Sequence, residues 1–294
     1  MKVSELASAQ ALWAMAEPLL AGDAANNTHQ LSALSRILQL GARFGERFFA
    51  VTSGETLAGC ATLVDTRTLF LSVMTDAAAT ALAAWLRAQS VVLAGVVGRR
   101  DLLTSFTDTF DREYSVHADL LLYQLFGTPI FGNAGGSSRI ATASDLDLLV
   151  TWLGAFEAEV GMIAVPTPLA ERVTRRIADE QIVLWCDNGE PVAFAGGNPL
   201  PANSARIGPV YTPPALRGRG FAQAVTAAAS LHVQRNGPRT VFLFTDALNP
   251  ASNRCYQRIG YRHISDHAHL LFDRDRALRH YKSARELIKT FAED

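Results

Sequence analysis

The chain has 294 residues, 49% hydrophobic and 19% charged, which suits one large or two ordinary globular domains and excludes a disordered chain. A formal net charge of −1 offers no broad attraction to nucleic acid. Cys60, Cys186 and Cys255 lack metal-ligand spacing and suit a reducing compartment, taken as the cytoplasm; no apolar run approaches the length of a bilayer span, and the opening MKVSELASAQ has no apolar signal core.

In chain order, residues 1–45 read as helical. Leu6, Trp13, Leu19 and Leu20 form one region, Leu31, Leu34, Ile37, Leu38 and Leu40 another, and Asn26-Asn27-Thr28 breaks them. Residues 47–52 read as a strand, Ser53-Gly54-Glu55 as a turn and 56–65 as the hairpin partner. Thr68 to Met74 is a further strand. An Ala-rich helix over Ala77–Gln89 is capped by Thr75 or Asp76. Val91–Val97 is a strand of buried type, Arg100–Phe110 a helix and Ser115–Leu125 a strand.

Phe131-Gly132-Asn133-Ala134-Gly135-Gly136-Ser137-Ser138 is small, flexible and poor in groups to bury, which marks a linker. It divides the chain into domains at 1–130 and 139–294. Arg139–Thr142 is then a short strand, and Ser144 or Asp145 caps a helix bearing Leu146, Leu149, Val150, Leu153 and Phe156. Thr167 and Pro168 serve as N-cap and N1 for a second helix with Leu169, Val173 and Ile177 spaced by four. Ile182–Cys186 and Val192–Gly196 pair across the hairpin signal Asn188-Gly189. Gly196, Gly197 and Asn198 close the second of these strands into a loop. Arg206–Thr212 is a strand stopped by Pro213-Pro214, since proline has no N–H for a ladder. After it come a helix to about Asn236, a fifth strand, a helix from Asn249, closing strands His263–Asp266 and Ala268–Phe272, and a helical tail over 275–292. Trp152 and Trp185 read as core. His267 and His269 share a strand face, but no further ligands accompany them and no metal is expected.

The two halves repeat one order. FFAVTSGETLAGCATLV parallels IVLWCDNGEPVAFAGGN, TLFLSVM parallels RIGPVYT, and the helix at 77–89 parallels that at 221–235. A duplicated fold accounts for this; a generic alternation of strands and helices is the other explanation. The halves differ at one junction. Met74-Thr75-Asp76-Ala77 has neither glycine nor arginine, whereas Arg217-Gly218-Arg219-Gly220-Phe221-Ala222 has two of each. Glycines there let backbone approach a ligand closely, and the free N–H groups and positive dipole end of a helix suit phosphate. Arg217 and Arg219 add charge. A P-loop is excluded, since GxxxxGK(S/T) is missing. A dinucleotide fingerprint is excluded because Gln223 stands where a third glycine belongs and no acid lies about 20 residues on. A Gly-Arg turn before an ordinary helix remains the plain alternative.

The stretch from Ile207 to Tyr261 resembles the GNAT acyl-CoA N-acyltransferase family. Arg217–Ala222 fits that family's pyrophosphate loop, Gln/Arg-x-x-Gly-x-Gly/Ala. Asn249 to Tyr261 fits Asn-x-x-Ser/Ala-x-x-x-Tyr-x-x-x-Gly-Phe/Tyr, and both motifs stand in the family's order of strand, loop, helix, strand, helix. The motif match covers about residues 205–265, and element order extends it to 139–273. The resemblance implies two α/β (α+β) modules, each a mixed, mostly antiparallel sheet flanked by helices, with the first half degenerate. It implies that acetyl-CoA is a co-substrate. Its pantetheine arm would enter between the fourth and fifth strands and pair with backbone of Val210, Tyr211 and Thr212. Its pyrophosphate would sit on Arg217, Gly218, Arg219, Gly220, Phe221 and Ala222. Asn249, otherwise simply a helix cap, would bond the arm, and Asn253 the nucleotide side. Tyr256, otherwise a core tyrosine, would be the general acid. Glu157 and Glu159, otherwise solvated surface, would orient the amine or accept its proton. The expected reaction is acetyl transfer to an amine by direct attack, because no cysteine stands in a motif for a covalent intermediate. Neither nucleic acid, membrane nor metal is expected as a partner. The rival expectation is a CoA-binding or partner-binding module without turnover.

Overall fold

Residues 48–51 are buried on both sides of a strand, Phe48 and Ala50 against one set of helices, Phe49 and Val51 against another. Period-two alternation between two covered faces explains why this strand reads as a continuous apolar run. The structure, a computed structural model, describes residues 1–64, 66–162, 167–237 and 240–272. The expected helix at 275–292 lies outside them. The described residues form two compact units, one from 1–122 with 200–202 and 265–272, the other from 123–199 with 203–264.

In the first unit the strands are β1 (Lys2–Leu6), β2 (Arg47–Ser53), β3 (Thr56–Leu63), β4 (Thr68–Leu71), β5 (Gly95–Arg99), the beginning of β6 (Tyr114–Leu125) and the end of β12 (Tyr261–Phe272). Their order is β1-β2-β3-β4-β5-β12-β6. β4 and β5 run parallel; β1/β2, β2/β3, β3/β4 and β5/β12 run antiparallel. Helices α1 (Ala9–Gly22) and α2 (Thr28–Leu40) cover one face through Leu12, Leu20, Leu31, Leu34 and Ile37. α3 (Asp76–Ala88) and α4 (Arg100–Phe110) cover the other through Leu82, Leu86, Leu103 and Phe106. Thr75 is the cap of α3; its hydroxyl accepts from the Ala78 N–H at 3.2 Å.

Three expectations fail here. Residues 2–6 form an edge strand rather than helix, paired from Lys2↔Thr52 to Leu6↔Phe48; a partner so distant in sequence leaves no local periodicity to read. β5 begins at Gly95 rather than Val91; Val91 and Leu93 are buried core residues of the connection. The two closing strands are one, β12, running through Asp266 and His267 without a break.

The second unit takes the end of β6 and the start of β12, with β7 (Ser137–Ile140), β8 (Ile182–Asp187), β9 (Glu190–Leu200), β10 (Ser204–Tyr211) and β11 (Thr240–Asp246), in the order β12-β6-β11-β10-β9-β8-β7. The segment 131–138 belongs to this unit: Trp185 Nε1 donates to the Gly135 carbonyl at 2.9 Å, and Ser137 already pairs with Cys186. α5 (Leu146–Glu159) and α6 (Leu169–Ala178) cover one face of the sheet through Leu149, Leu153 and Val173, with Trp152 stacked on Phe194. α7 (Phe221–Arg235) and α8 (Pro250–Ile259) complete the unit. Asn188 and Gly189, with φ of 52° and 87°, make the expected β8–β9 turn.

The cap ahead of α5 is neither Ser144 nor Asp145 acting alone. Thr142 and Asp145 form a capping box over a short 3-10 turn, and Arg139 clasps the Asp145 carboxylate at 2.7 and 2.8 Å. The Arg139 guanidinium holds the Asp145 carboxyl down to about 2. Pro168 is the N-cap of α6 rather than its first residue.

Candidate functional site

β10 and β11 are parallel neighbours, paired at Ser204↔Thr240, Ala205↔Val241, Arg206↔Phe242 and Ile207↔Leu243. Pairing then stops, although β10 continues to Tyr211 and β11 to Asp246. Beyond the last pair the backbone of Val210, Tyr211 and Thr212 has no β11 partner. The residues at the parting are Gly208, with φ +142°, and Pro209, which has no N–H to continue a ladder. The Gly208 carbonyl is taken from the other side, by Asn198 Nδ2 at 2.6 Å and Arg176 Nη2 at 3.0 Å.

Both parted strands end at the same edge of the sheet, where ligands of parallel α/β sheets bind. The loop into α7 stands there. Gly218 and Gly220 have φ of +79° and +83°, a region that side chains disfavour, and Gly220 is the N-cap of α7. No side chain caps this helix, so its first N–H groups remain available. Arg217 turns back: Nε donates to the Thr212 carbonyl at 2.9 Å, and Nη2 meets both oxygens of Glu159 at 2.9 and 2.8 Å. Arg219 pairs with Asp187 at 2.9 Å and lies over the Phe221 ring. These pairs are solvent-exposed, a setting in which ion pairs contribute little, so an incoming phosphate can replace the carboxylates.

Asn249 caps α8, its Oδ1 accepting from the Ser252 N–H at 3.0 Å. Asn253 Nδ2 reaches the Asp246 carbonyl at 3.4 Å; its Oδ1 is buried without a partner among the described residues. Tyr256 lies two helical turns past the cap, edge-on to Tyr261 with centroids 6.3 Å apart. Burial pushes its phenol well above the usual range, opposed by a hydrogen bond with Ser252.

The structure separates Glu157 from Glu159. Glu157 forms a two-point ion pair with Arg172 of α6 at 2.7 and 2.8 Å, while Glu159 holds Arg217. Each carboxylate thus has an arginine beside it, and the Glu159 pair is the exposed one. The expected loop at 196–198 is also absent, because β9 continues to Leu200. A Cβ at Gly196 would come within 2.1 Å of Arg176 Nη2 and 2.5 Å of the Gly208 carbonyl, so glycine makes room for that contact. Sequence reasoning missed Arg172, Arg176 and Arg206, and gave Asn198 only as part of a loop. Arginines on a short polar helix read as solvated, and the one early signal was Gly-Gly before Asn198.

In the first unit the matching junction carries no such loop. Its cleft is lined by Val73, Met74, Asp76, Arg99, Asp101 and Leu102, with Thr75 already capping α3.

Residues 149–261 match the family model of the acetyltransferase (GNAT) family, so the chain carries a GNAT domain over that span. Solved structures resemble the whole chain. An acetyltransferase of the GNAT family from Colwellia psychrerythraea aligns with 92% of this chain and 99% of its own, with a TM-score of 0.59 and 17% identity. A GCN5-related N-acetyltransferase from Sphaerobacter thermophilus aligns over 91% and 94%, with a TM-score of 0.60 and 17% identity. A tandem GNAT protein from the clavulanic acid biosynthesis pathway aligns over 92% and 98%, with a TM-score of 0.57 and 11% identity. At such identities these likenesses establish the fold. No curated protein matches the chain in sequence.

Proposed function

We propose that the second unit transfers an acyl group, acetyl in the simplest case, from acyl-CoA to an amine. The observation that carries this reading is the parting of β10 from β11 beside an uncapped α7 N-terminus. The backbone of Val210, Tyr211 and Thr212, unpaired with β11, offers an extended arm the ladder that β11 abandons, the Thr212 carbonyl being held meanwhile by Arg217 Nε. Gly218, Gly220 and the first N–H groups of α7 receive pyrophosphate, and Arg217 and Arg219 exchange Glu159 and Asp187 for its oxygens. Asn249 tethers the arm, and the orphaned Oδ1 of Asn253 gains a donor.

Acyl transfer makes a C–N bond and breaks a C–S bond. Holding the two reactants together supplies much of the acceleration. Tyr256 serves the departing sulfur. Its raised pKa keeps the hydroxyl protonated throughout the neutral range. The same rise makes complete proton transfer to a thiolate of pKa about 8.5 uphill, so Tyr256 acts by donating a hydrogen bond as the bond breaks. Arg172 holds Glu157 at two points, so Glu159, released when Arg217 takes the pyrophosphate, is the carboxylate left to relay the proton of the amine. Glu157 positions Arg172.

Calorimetry with acetyl-CoA, followed by a thioester-cleavage assay over an amine panel, tests the reading. Micromolar binding and amine-dependent CoA release are expected. Binding without release under any amine would make the protein a CoA-binding module, and loss of both would remove the reading altogether.

A further inference from the structure

A group of arginines gathers beside the point where β10 leaves β11. α6 contributes Arg172 and Arg176, and β10 contributes Arg206, two residues before Gly208. Glu157 spends both oxygens on Arg172 and offsets only part of the repulsion felt by Arg176. Arg176 crosses the gap over Gly196 to reach the neutral acceptors Gly208 O and Asn198 Oδ1, and its Nε has no partner among the described residues. Arg206 is half-buried, and its guanidinium has no hydrogen bond or ion pair among the described residues. Arg206 and Gly208, two apart on β10, share a sheet face, and Arg176 reaches the Gly208 carbonyl, so the two guanidiniums are neighbours; desolvation brings Arg176 to about 10, with repulsion from Arg206 the next cause. Burial also brings Arg206 to about 10.

Desolvated charge is costly unless it is paired. Here guanidiniums outnumber carboxylates, and the excess lies where the thioester carbonyl would reach along β10. A purely structural arginine would need the Gly208 contact, which Arg176 already makes; Arg206 adds positive charge beside it with no acceptor of its own.

We infer that the acceptor amine carries an anionic group, a carboxylate or a phosphate, held by Arg206 beside Arg176. This rests on the acyl-transfer reading for the word acceptor, but the anion site itself is separable from it. A planar guanidinium fork matches a carboxylate at two points, which orients the rest of the molecule as well as binding it. The amine of such an acceptor would lie a few bonds from the anion, towards the parted strands.

The test pairs each probe with its neutral counterpart: free amino acids against their carboxamides, and phosphoethanolamine against ethanolamine. Wild-type protein is expected to favour the anionic member in kcat/KM by at least about tenfold, or roughly 1.4 kcal/mol. Arg206→Gln should abolish the preference, and Arg206→Lys should retain part of it. Acetyl-CoA affinity of both variants, by calorimetry, should match wild type and shows that they fold. In parallel, N-acetyl amino acids and their amides are titrated into CoA-saturated protein. Arg206-dependent binding of the acid forms, with no turnover of any amine, would uphold the anion site and remove the transferase reading. Discrimination only within the phosphate pair upholds the site and identifies phosphate. Equal handling of acid and neutral forms, or a preference that survives Arg206→Gln, overturns the inference.

Discussion

At the scale of single residues, the site depends on a backbone conformation that glycine adopts without strain and on one hydroxyl. Gly220 combines a φ of +83° with an Ala134 Cβ 3.5 Å from where its own Cβ would stand. Gly220→Asp would add a side chain, backbone strain and negative charge at the N-terminus of α7. Acetyl-CoA affinity should fall by an order of magnitude or more in calorimetry, about 1.4 kcal/mol per tenfold, while the circular dichroism spectrum stays native. Unchanged affinity would mean the pyrophosphate sits elsewhere. Tyr256→Phe keeps the ring against Tyr261 and removes the donor. Turnover should drop about 10²-fold with little change in acetyl-CoA affinity. A Phe variant as fast as wild type would return Tyr256 to the core. Both residues were legible in sequence because their motifs are local. Arg206 was not, because a lone arginine in a strand gains its meaning from Arg176 on another element.

At the scale of elements, β12 is the strand whose environment departs most from its composition. His267 is fully buried and His269 packs against His117 with centroids 5.0 Å apart. Burial lowers both imidazoles to about 4 from 6.5, and the His117 charge adds to the effect at His269. The folded chain therefore resists protons that the unfolded chain accepts. Stability from these groups is complete above pH 6.5 and drains as pH falls towards 4. By pH 5 the loss is about 2 kcal/mol per histidine. Urea midpoints at pH 7.5, 6 and 5 should decline accordingly, and His269→Phe should flatten the decline. A wild-type midpoint unmoved between pH 7.5 and 5 would show that these imidazoles are not buried neutral. Sequence placed the two histidines on one strand face, but their burial depends on helices and strands far along the chain.

At the scale of the whole molecule, two units of related design differ in one junction. In the second, Gly218 and Gly220 lead to a helix with open N–H groups. In the first, the Thr75 hydroxyl caps α3, and Asp76 and Asp101 face the cleft beside it. The cap occupies one of the N–H groups a phosphate needs and Asp76 repels it, while Arg99 is engaged by Asp101. One CoA should bind per chain. A stoichiometry near two in calorimetry would show that the first unit also holds the nucleotide, and loss of all binding in Gly220→Asp would assign the single site to the second.

Local chemistry along the chain was enough for the repeated order of elements, the hairpin at Asn188-Gly189, the cap at Asn249, a cap for α3 at Thr75 or Asp76, and the loop at 217–222. Each rests on turn chemistry or periodicity within a few residues, and such forces act before any tertiary contact. Tertiary structure alone decided that residues 2–6 form a strand and that β9 runs through Gly196 to Leu200. It also decided where β10 leaves β11, and that Glu157 and Glu159 serve different arginines. Every one of these joins residues at least ten positions apart. The edge strand needs a partner 42 to 50 positions away, from Leu6↔Phe48 to Lys2↔Thr52. The Gly208 contact needs Arg176, 32 positions away, and a missing Cβ at Gly196. Only packing brings such groups together, and packing leaves no period in the sequence to read.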